Sequence, residues 1–465
     1  MLARLSAVGS GVLLALALAG ATHAESRTQA VAGGVGMLRL GDSASIGSAH
    51  FSHSAYVIVS PFNARLVPQI RAGNAATKVL AYKASMDLKS SPFCAAHGDQ
   101  CETGISYAEA VAHDAANPKD PWILRDASGS PMTGGYPDNF LGDVGSKSFQ
   151  SRWIANVSSF LQANHFSGVF IDNVLGDVSG WTKGRYPAKY PTDAAWGDAM
   201  ASFVKQVSAV FRPRDLFVAV NAYKPYPENT SWWKRIAPST DALMSEYWQQ
   251  NPNNPRELYT ADAPSWTGHW DYWQKLIDIA QDAGSAFFGL QYGDASDTRL
   301  MRYGRASFLL DWNGKRGAYF FNPQSSADPW QGAWTADIGR PLADRFRVGT
   351  GWRRDYSGGT VILNPSASRS QTFDLGRPYT LPDGTTARSI TLAPSTALVL
   401  TGIQQSSSTP AAQRPSAAVS HGATAVRWDG KLFRTRRQFN GWLRSHHLSW
   451  NRWAERHPVA AHRLS

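Results

Sequence analysis

Between residues 35 and 325, eight short apolar runs alternate with segments of helical period, and no other feature narrows the possible folds as far. The runs are GMLRL, AYVIVS, KVLAYKAS, GVFIDN, LFVAVNA, DALMSEYW, AFFGLQYG and GAYFFNP. Such alternation is the pattern of a parallel α/β architecture. The helical period is clearest at Trp153, Val157, Phe160 and Leu161, and again at Trp196, Met200, Phe203, Val204, Val207 and Phe211. Spacings of three and four put each set on one face, which makes Trp153 and Trp196 core residues. Pro213 closes the second helix before the run that starts at Leu216. Eight strand–helix units in about 290 residues predict a (β/α)8 TIM barrel over residues 25–340 rather than an open sheet.

After Pro341 the texture changes to short alternating runs with turn signals, as in GGTVILNPSASRSQTFDLG, YTLPDGTT and RSITLAPSTALVLTG, which predict a small all-β domain over 341–402. Residues 403–420, which contain QQSSSTPAAQRPSAAVS, read as a Ser/Pro/Ala linker. Residues 421–465 form a basic, aromatic tail with nine Lys and Arg residues against Asp429 and Glu455, so +7 of the chain's formal +11 lies there. Phe439, Trp442 and Leu443 after Thr435, and Trp450 and Trp453 after Ser449, predict two short helices in it.

The first 24 residues have the form of an export signal, with Arg4, an apolar stretch from Val12 to Ala19 and small residues up to Ala24. A secreted or cell-envelope protein that begins at Glu25 is expected. No later stretch approaches the ~20 apolar residues of a membrane span. In an oxidising compartment Cys94 and Cys101 are expected to form a local disulfide that pins one surface loop, worth about 2–3 kcal/mol on the chain-entropy model. Export also makes an anionic envelope polymer or acidic polysaccharide, rather than nucleic acid, the expected partner of the basic tail. A monomer is expected.

In a barrel the residues just after each apolar run face a shared cavity. Here they are Lys83 and Asp87, Asp172 and Asn173, Asn221 and Tyr223, Glu246, and Gln291 and Tyr292. Two carboxylates across one pocket, Asp172 and Glu246, suit glycosidic cleavage: one protonates the departing oxygen, and the other meets the oxocarbenium-like carbon or activates water. The neighbouring Lys83, Asp87, Asn173, Asn221, Tyr223, Gln291 and Tyr292 would bind sugar hydroxyls. The chain has 18 Trp and 16 Tyr, many in polar segments such as WTKGRYPAKYP and YWQQNPNNPRELYTADAPSWTGHW, and Trp181, Trp248 and Trp266 are candidates for sugar stacking. His50 and His53 have metal-like spacing but no acidic cluster beside them, which argues against a metal-dependent deacetylase. Neither a metal nor another cofactor is expected.

The segments VLAYKAS, GVFIDN, VAVNAY, MSEYW, GLQYG and RRDYSGGTVILNPS, in that order, resemble the bacterial glycoside hydrolases of the hypothetical glycosyl hydrolase group. These are TIM barrels with a C-terminal β domain, distantly similar to α-galactosidase-like and polygalactosaminidase-like enzymes. The resemblance spans roughly residues 35 to 400, and GVFIDN is its most specific element. It implies that the acid ending the fourth strand, Asp172, is the nucleophile and the acid ending the sixth, Glu246, the general acid/base. The clan usually carries Asp at the second position, where this chain has Glu. The competing expectation is a glycan-binding protein on a barrel that has lost catalysis.

Overall fold

The protein was analysed as a computed structural model, which describes residues 36–40, 54–224, 228–322, 337–402, 426–428 and 431–433. Eight parallel strands close into a barrel: β1 (Gly36–Leu40), β2 (Ser54–Val59), β3 (Lys78–Ala84), β4 (Gly168–Leu175), β5 (Phe217–Tyr223), β6 (Ala242–Glu246), β7 (Ala286–Tyr292) and β8 (Gly317–Asn322). Each strand pairs with its neighbour in sequence, and β1 pairs with β8. All eight apolar runs of the sequence are barrel strands.

Six helices alternate with the strands from β2 onward: α1 (Val67–Gly73), α2 (Lys147–Ala163), α3 (Asp193–Phe211), α4 (Asn229–Ile236), α5 (Trp270–Asp282) and α6 (Thr298–Asp311). Side-chain caps start three of them. Ser146 accepts from the Phe149 amide, Thr192 from that of Ala195 and Asp297 from that of Leu300, each satisfying an N–H the helix cannot. The periodic apolar residues of α2 and α3 are buried against the sheet. Inside the barrel, Tyr56, Phe170, Phe217, Met244, Phe288 and Phe320 belong to one packed cluster. The interior is therefore solid, and polar groups are left to the strand ends.

Between β3 and α2 the chain makes a long excursion over the barrel mouth. It carries an antiparallel pair, Asp87–Lys89 with Asn139–Leu141, a short helix Pro92–His97 and a longer one Tyr107–Ala116. The expected disulfide, Cys94–Cys101, joins this short helix to the chain after it.

A six-stranded antiparallel sheet spanning Phe346–Val348 to Thr396–Gly402 follows the barrel. Its Arg354 donates to the carbonyls of Leu309, Leu310 and Trp312, which the end of α6 leaves without helical partners. The Arg345 guanidinium lies 4.9 Å from the ring of Trp270 and 4.4 Å from that of Trp352, linking α5 to the sheet.

In the tail, Val426–Trp428 pairs antiparallel with Lys431–Phe433. This pair precedes the segments in which the tail helices are expected. The expected helices around Phe439, Trp442, Leu443, Trp450 and Trp453 lie outside the described residues, as do the expected signal segment, the linker, His50 and His53. Among the described residues no helix is long and apolar enough to cross a membrane.

Candidate active site

Strand β4 runs buried from Gly168 to Ile171, and its register against β5 then shifts between Ile171 and Val174. The bulge contains Asp172 and Asn173, with Asn173 in the left-handed region at φ 57°. Asn is among the few non-glycine residues that tolerate this conformation. Here it is held on both sides: Asn173 Nδ2 donates to Asp87 Oδ2 at 2.6 Å, and its carbonyl accepts from Ser85 Oγ at 2.8 Å. The other candidate acid shows the same local device. Glu246 ends β6, and Tyr247 after it has φ 55°. Each carboxylate thus sits where a strand is broken by a residue of positive φ, a kind of strain that clusters at functional sites.

Between β4 and β6 lies β5, and its Asn221 points to the barrel axis on the same face as Phe217 and Ala219. Asn221 Nδ2 donates to Asp172 Oδ1 at 2.9 Å and to Glu246 Oε2 at 2.9 Å. Two oxygens that share one nitrogen are separated by at most twice that length, and the roughly 120° between the two N–H bonds of an amide puts them about 5 Å apart. The remaining oxygens are also engaged. Tyr82 on β3 donates to Asp172 Oδ2, and Tyr292 on β7 donates to Glu246 Oε1 at 2.7 Å. Five consecutive strands, β3 to β7, therefore contribute one side chain each to an unbroken run, with Asn221 at its centre.

Burial pushes the Glu246 carboxyl above its ordinary range, and the charge of Asp172 pushes it further, while the bonds from Tyr292 and Asn221 pull it back. Both tyrosines are held far above the usual phenol range, chiefly by burial and then by the carboxylate each one faces. They remain hydrogen-bond donors across the working pH range. Behind this row Asp87 is pushed up to about 6, mainly by burial, against the bond from Asn173 and with the Asp172 charge adding to it.

The other candidates divide by the face of the strand they occupy. Asp87 and Asn173 bond to each other beside Asp172 and hold its bulge. Tyr223, at the end of β5, is 50% exposed and meets none of the network. Three expectations are corrected. Lys83 points away from the axis and spends all three N–H bonds on carbonyls of the disulfide loop, those of Asp99 at 2.7 Å, Cys101 at 2.7 Å and Thr103 at 3.2 Å. Gln291 is fully buried on the helix side of β7, where it accepts from Tyr319 at 2.6 Å and packs so tightly on Gly304 that a side chain there would collide with it. Trp248 is also fully buried, its Nε1 donating to the Gly304 carbonyl at 3.0 Å, so neither of its faces is open to a sugar. Trp181 is partly buried against Gly134 and Gly135, while Trp266 is 55% exposed.

Tyr82 is the residue missed in the sequence. Strand alternation puts it on the inward face with Leu80, one position before Lys83. Among the described residues no cluster of His, Cys, Asp and Glu could hold a metal ion.

No curated protein matches the chain. Among solved structures, the chain is similar to the glycoside hydrolase domain of PelA from Pseudomonas aeruginosa, at 12% identity over 62% of this chain and 94% of that one, with a TM-score of 0.39. It is also similar to the noncanonic maltogenic α-amylase AmyB from Thermotoga neapolitana, at 11% identity over 76% of this chain and 91% of that one, with a TM-score of 0.45. A third is the α-amylase from Geobacillus thermoleovorans, at 10% identity over 76% and 89%, with a TM-score of 0.41. The model of Hypothetical glycosyl hydrolase family 15 matches residues 71–360, well over half of the chain, and the chain belongs to that family of glycosidases.

Proposed function

We propose that the protein is an exported, retaining glycoside hydrolase that cleaves a polysaccharide or its fragments with Asp172 as nucleophile and Glu246 as general acid/base. The observation that carries this reading is the amide of Asn221 shared between the two carboxylates. Retaining enzymes hold their two carboxyl groups about 5–5.5 Å apart, whereas inverting enzymes leave about 6.5–9.5 Å for a water. A single bridging nitrogen, with its two acceptor oxygens about 5 Å apart, supports the shorter class. In the first step an Asp172 oxygen bonds to the anomeric carbon while the bond to the departing oxygen breaks and takes the proton of Glu246. In the second, Glu246 takes a proton from water, whose oxygen displaces Asp172 and restores both carboxyls.

The assignment of roles follows the environments. Burial and the neighbouring charge of Asp172 raise the Glu246 carboxyl, which favours its keeping a proton. Asp172, which like Glu246 has both oxygens oriented by donors, sits at the tip of a bulge held by Asn173 and is aimed by Tyr82 and Asn221. Export is supported by the leader-like first 24 residues, and contact of the tail with an anionic envelope polymer by its +7 charge.

The test is release of reducing ends from a panel of purified polysaccharides by the wild type, Asp172→Asn and Glu246→Gln proteins. Turnover of at least one polysaccharide by the wild type and its near loss in both variants is expected. Undiminished turnover by either variant would reject the assignment, and a wild type that binds but cleaves nothing would favour a glycan-binding protein.

A further inference from the structure

Beside the carboxylate row, on the side of β2, a cavity of about 490 Å³ opens between the end of that strand and the disulfide loop. Its walls carry aromatic rings that nothing in the catalytic row uses. Phe62 is 46% exposed, Phe93 45% and Tyr136 66%. Phe62 and Phe93 stand edge to face with centroids 5.3 Å apart, and His97 stacks on one side of Phe93 at 4.3 Å. Large rings left this open on a folded surface cost apolar exposure, and their clustering in a concave site marks a place for a ligand.

The floor is polar and leads back to the acids. Asn139 lines the cavity and is buried to 2% exposure; its Nδ2 donates to Asp87 Oδ1 at 2.8 Å, while its Oδ1 has no partner among the described residues. Asp87 in turn accepts from Asn173, the residue beside Asp172. The cavity is therefore contiguous with the row through two hydrogen bonds. Its charges are unbalanced. The Lys89 ammonium is already paired with Glu102 at 2.7 Å, and Asp138 adds a second carboxylate.

We infer that this cavity is a sugar-binding subsite, where one or more uncharged pyranose units of a long substrate stack on Phe62, Phe93 and Tyr136. The inference rests on the hydrolase reading for what is bound, and it deepens that reading by giving the enzyme a preference for long, uncharged chains. The apolar face of a pyranose matches an aromatic ring, and its hydroxyls match Asn139, Lys89 and Asp138. An acidic sugar would add a third negative charge where one ammonium is already spent on Glu102. The disulfide then has a purpose beyond stability. It clamps the short helix that carries Phe93, and Lys83 ties down the carbonyls of the same loop, so the platform is in place before sugar arrives.

The experiment is calorimetric titration of the Asp172→Asn protein, in which turnover does not interfere, with maltohexaose, cellohexaose, xylohexaose, chitohexaose and hexagalacturonate, repeated with Phe62→Ala/Phe93→Ala in the same background. Both rings are exposed, so the double variant keeps the fold, with near-ultraviolet circular dichroism as the check. The tightest neutral hexaose should lose about tenfold in affinity or more on removal of the rings. Its disaccharide should bind both proteins alike, and hexagalacturonate should bind at least about tenfold more weakly than that neutral hexaose. Equal affinity of the hexaose for both proteins, binding of none of the hexaoses, or preference for hexagalacturonate overturns the inference. Failure of the hydrolase reading would show instead as undiminished turnover in Asp172→Asn, which this titration does not measure.

Discussion

The two walls of the barrel mouth are built on opposite plans. Over β3 to β7 the groups of the carboxylate row are committed to one another: Tyr82 to Asp172, Asn221 to both acids, Tyr292 to Glu246. Over β2 and residues 85–146, rings face open space on a loop held from behind by a disulfide and Lys83. On the proposed function, the difference follows from what each wall is asked to do. Moving a proton at neutral pH needs a carboxyl taken out of water and fixed to within tenths of an ångström, which strand ends provide. Holding a sugar needs accessible flat area, which strand ends cannot spare and a stapled loop can.

If that division is right, changes in the first wall strike turnover and changes in the second strike affinity for long substrates. Glu246→Gln should have the largest effect, a loss of about 10²–10⁴ in kcat with hexaose affinity kept. Comparable losses in both quantities would merge the two walls into one. Tyr292→Phe removes a donor that favours the ionised form of Glu246, for about a tenfold loss in kcat. The acid works protonated, so activity falls as pH rises through its folded pKa, and that pKa already lies above the ordinary range. Losing the donor raises it further. The alkaline limb of kcat/KM in Tyr292→Phe should therefore move to higher pH, and a limb that moves down would contradict the role of Glu246.

Cys94→Ser/Cys101→Ser should act on the second wall alone. Thermal or denaturant unfolding should show a loss of about 2–3 kcal/mol, with KM for long chains raised severalfold and kcat on short ones unchanged. A fall in kcat on short substrates would tie the loop to the chemistry. The smallest effect is expected from removing the residues after Val419. Activity on soluble substrates should stay the same, while retention on polyanionic wall material weakens, most visibly at low salt. Equal retention across a salt series would leave the tail without that task.

The two walls also differ in how far the sequence discloses them. The apolar runs mark all eight barrel strands, because a strand buried on both faces needs unbroken hydrophobicity and little else in the chain offers it. Asp172, Asn221, Glu246 and Tyr292 could be picked out as polar residues at the ends of those runs. Choosing between adjacent residues was harder. Lys83 and Tyr82, or Gln291 and Tyr292, are both polar and both terminal, and only strand alternation decides which enters the barrel and which meets the helices. Trp248 misled because a polar neighbourhood in sequence, YWQQNPNNP, surrounds a ring that folding buries under α6. The second wall could not be foreseen. Phe62, Phe93 and Tyr136 come from three separated segments and become neighbours only once the loop is folded and cross-linked. No local pattern announces them.

On the proposed mechanism, the pairing of Asp172 with Glu246 across Asn221 requires a covalent intermediate on Asp172. Glu246→Gln protein should be given a glycosyl fluoride of the sugar that the wild type cleaves fastest, whose leaving group needs no acid, then quenched in acid and its mass measured intact and after proteolysis. A glycosyl adduct on the peptide containing Asp172 is predicted. An adduct on another carboxylate such as Asp87, or no adduct together with an inverted anomeric product, would contradict it.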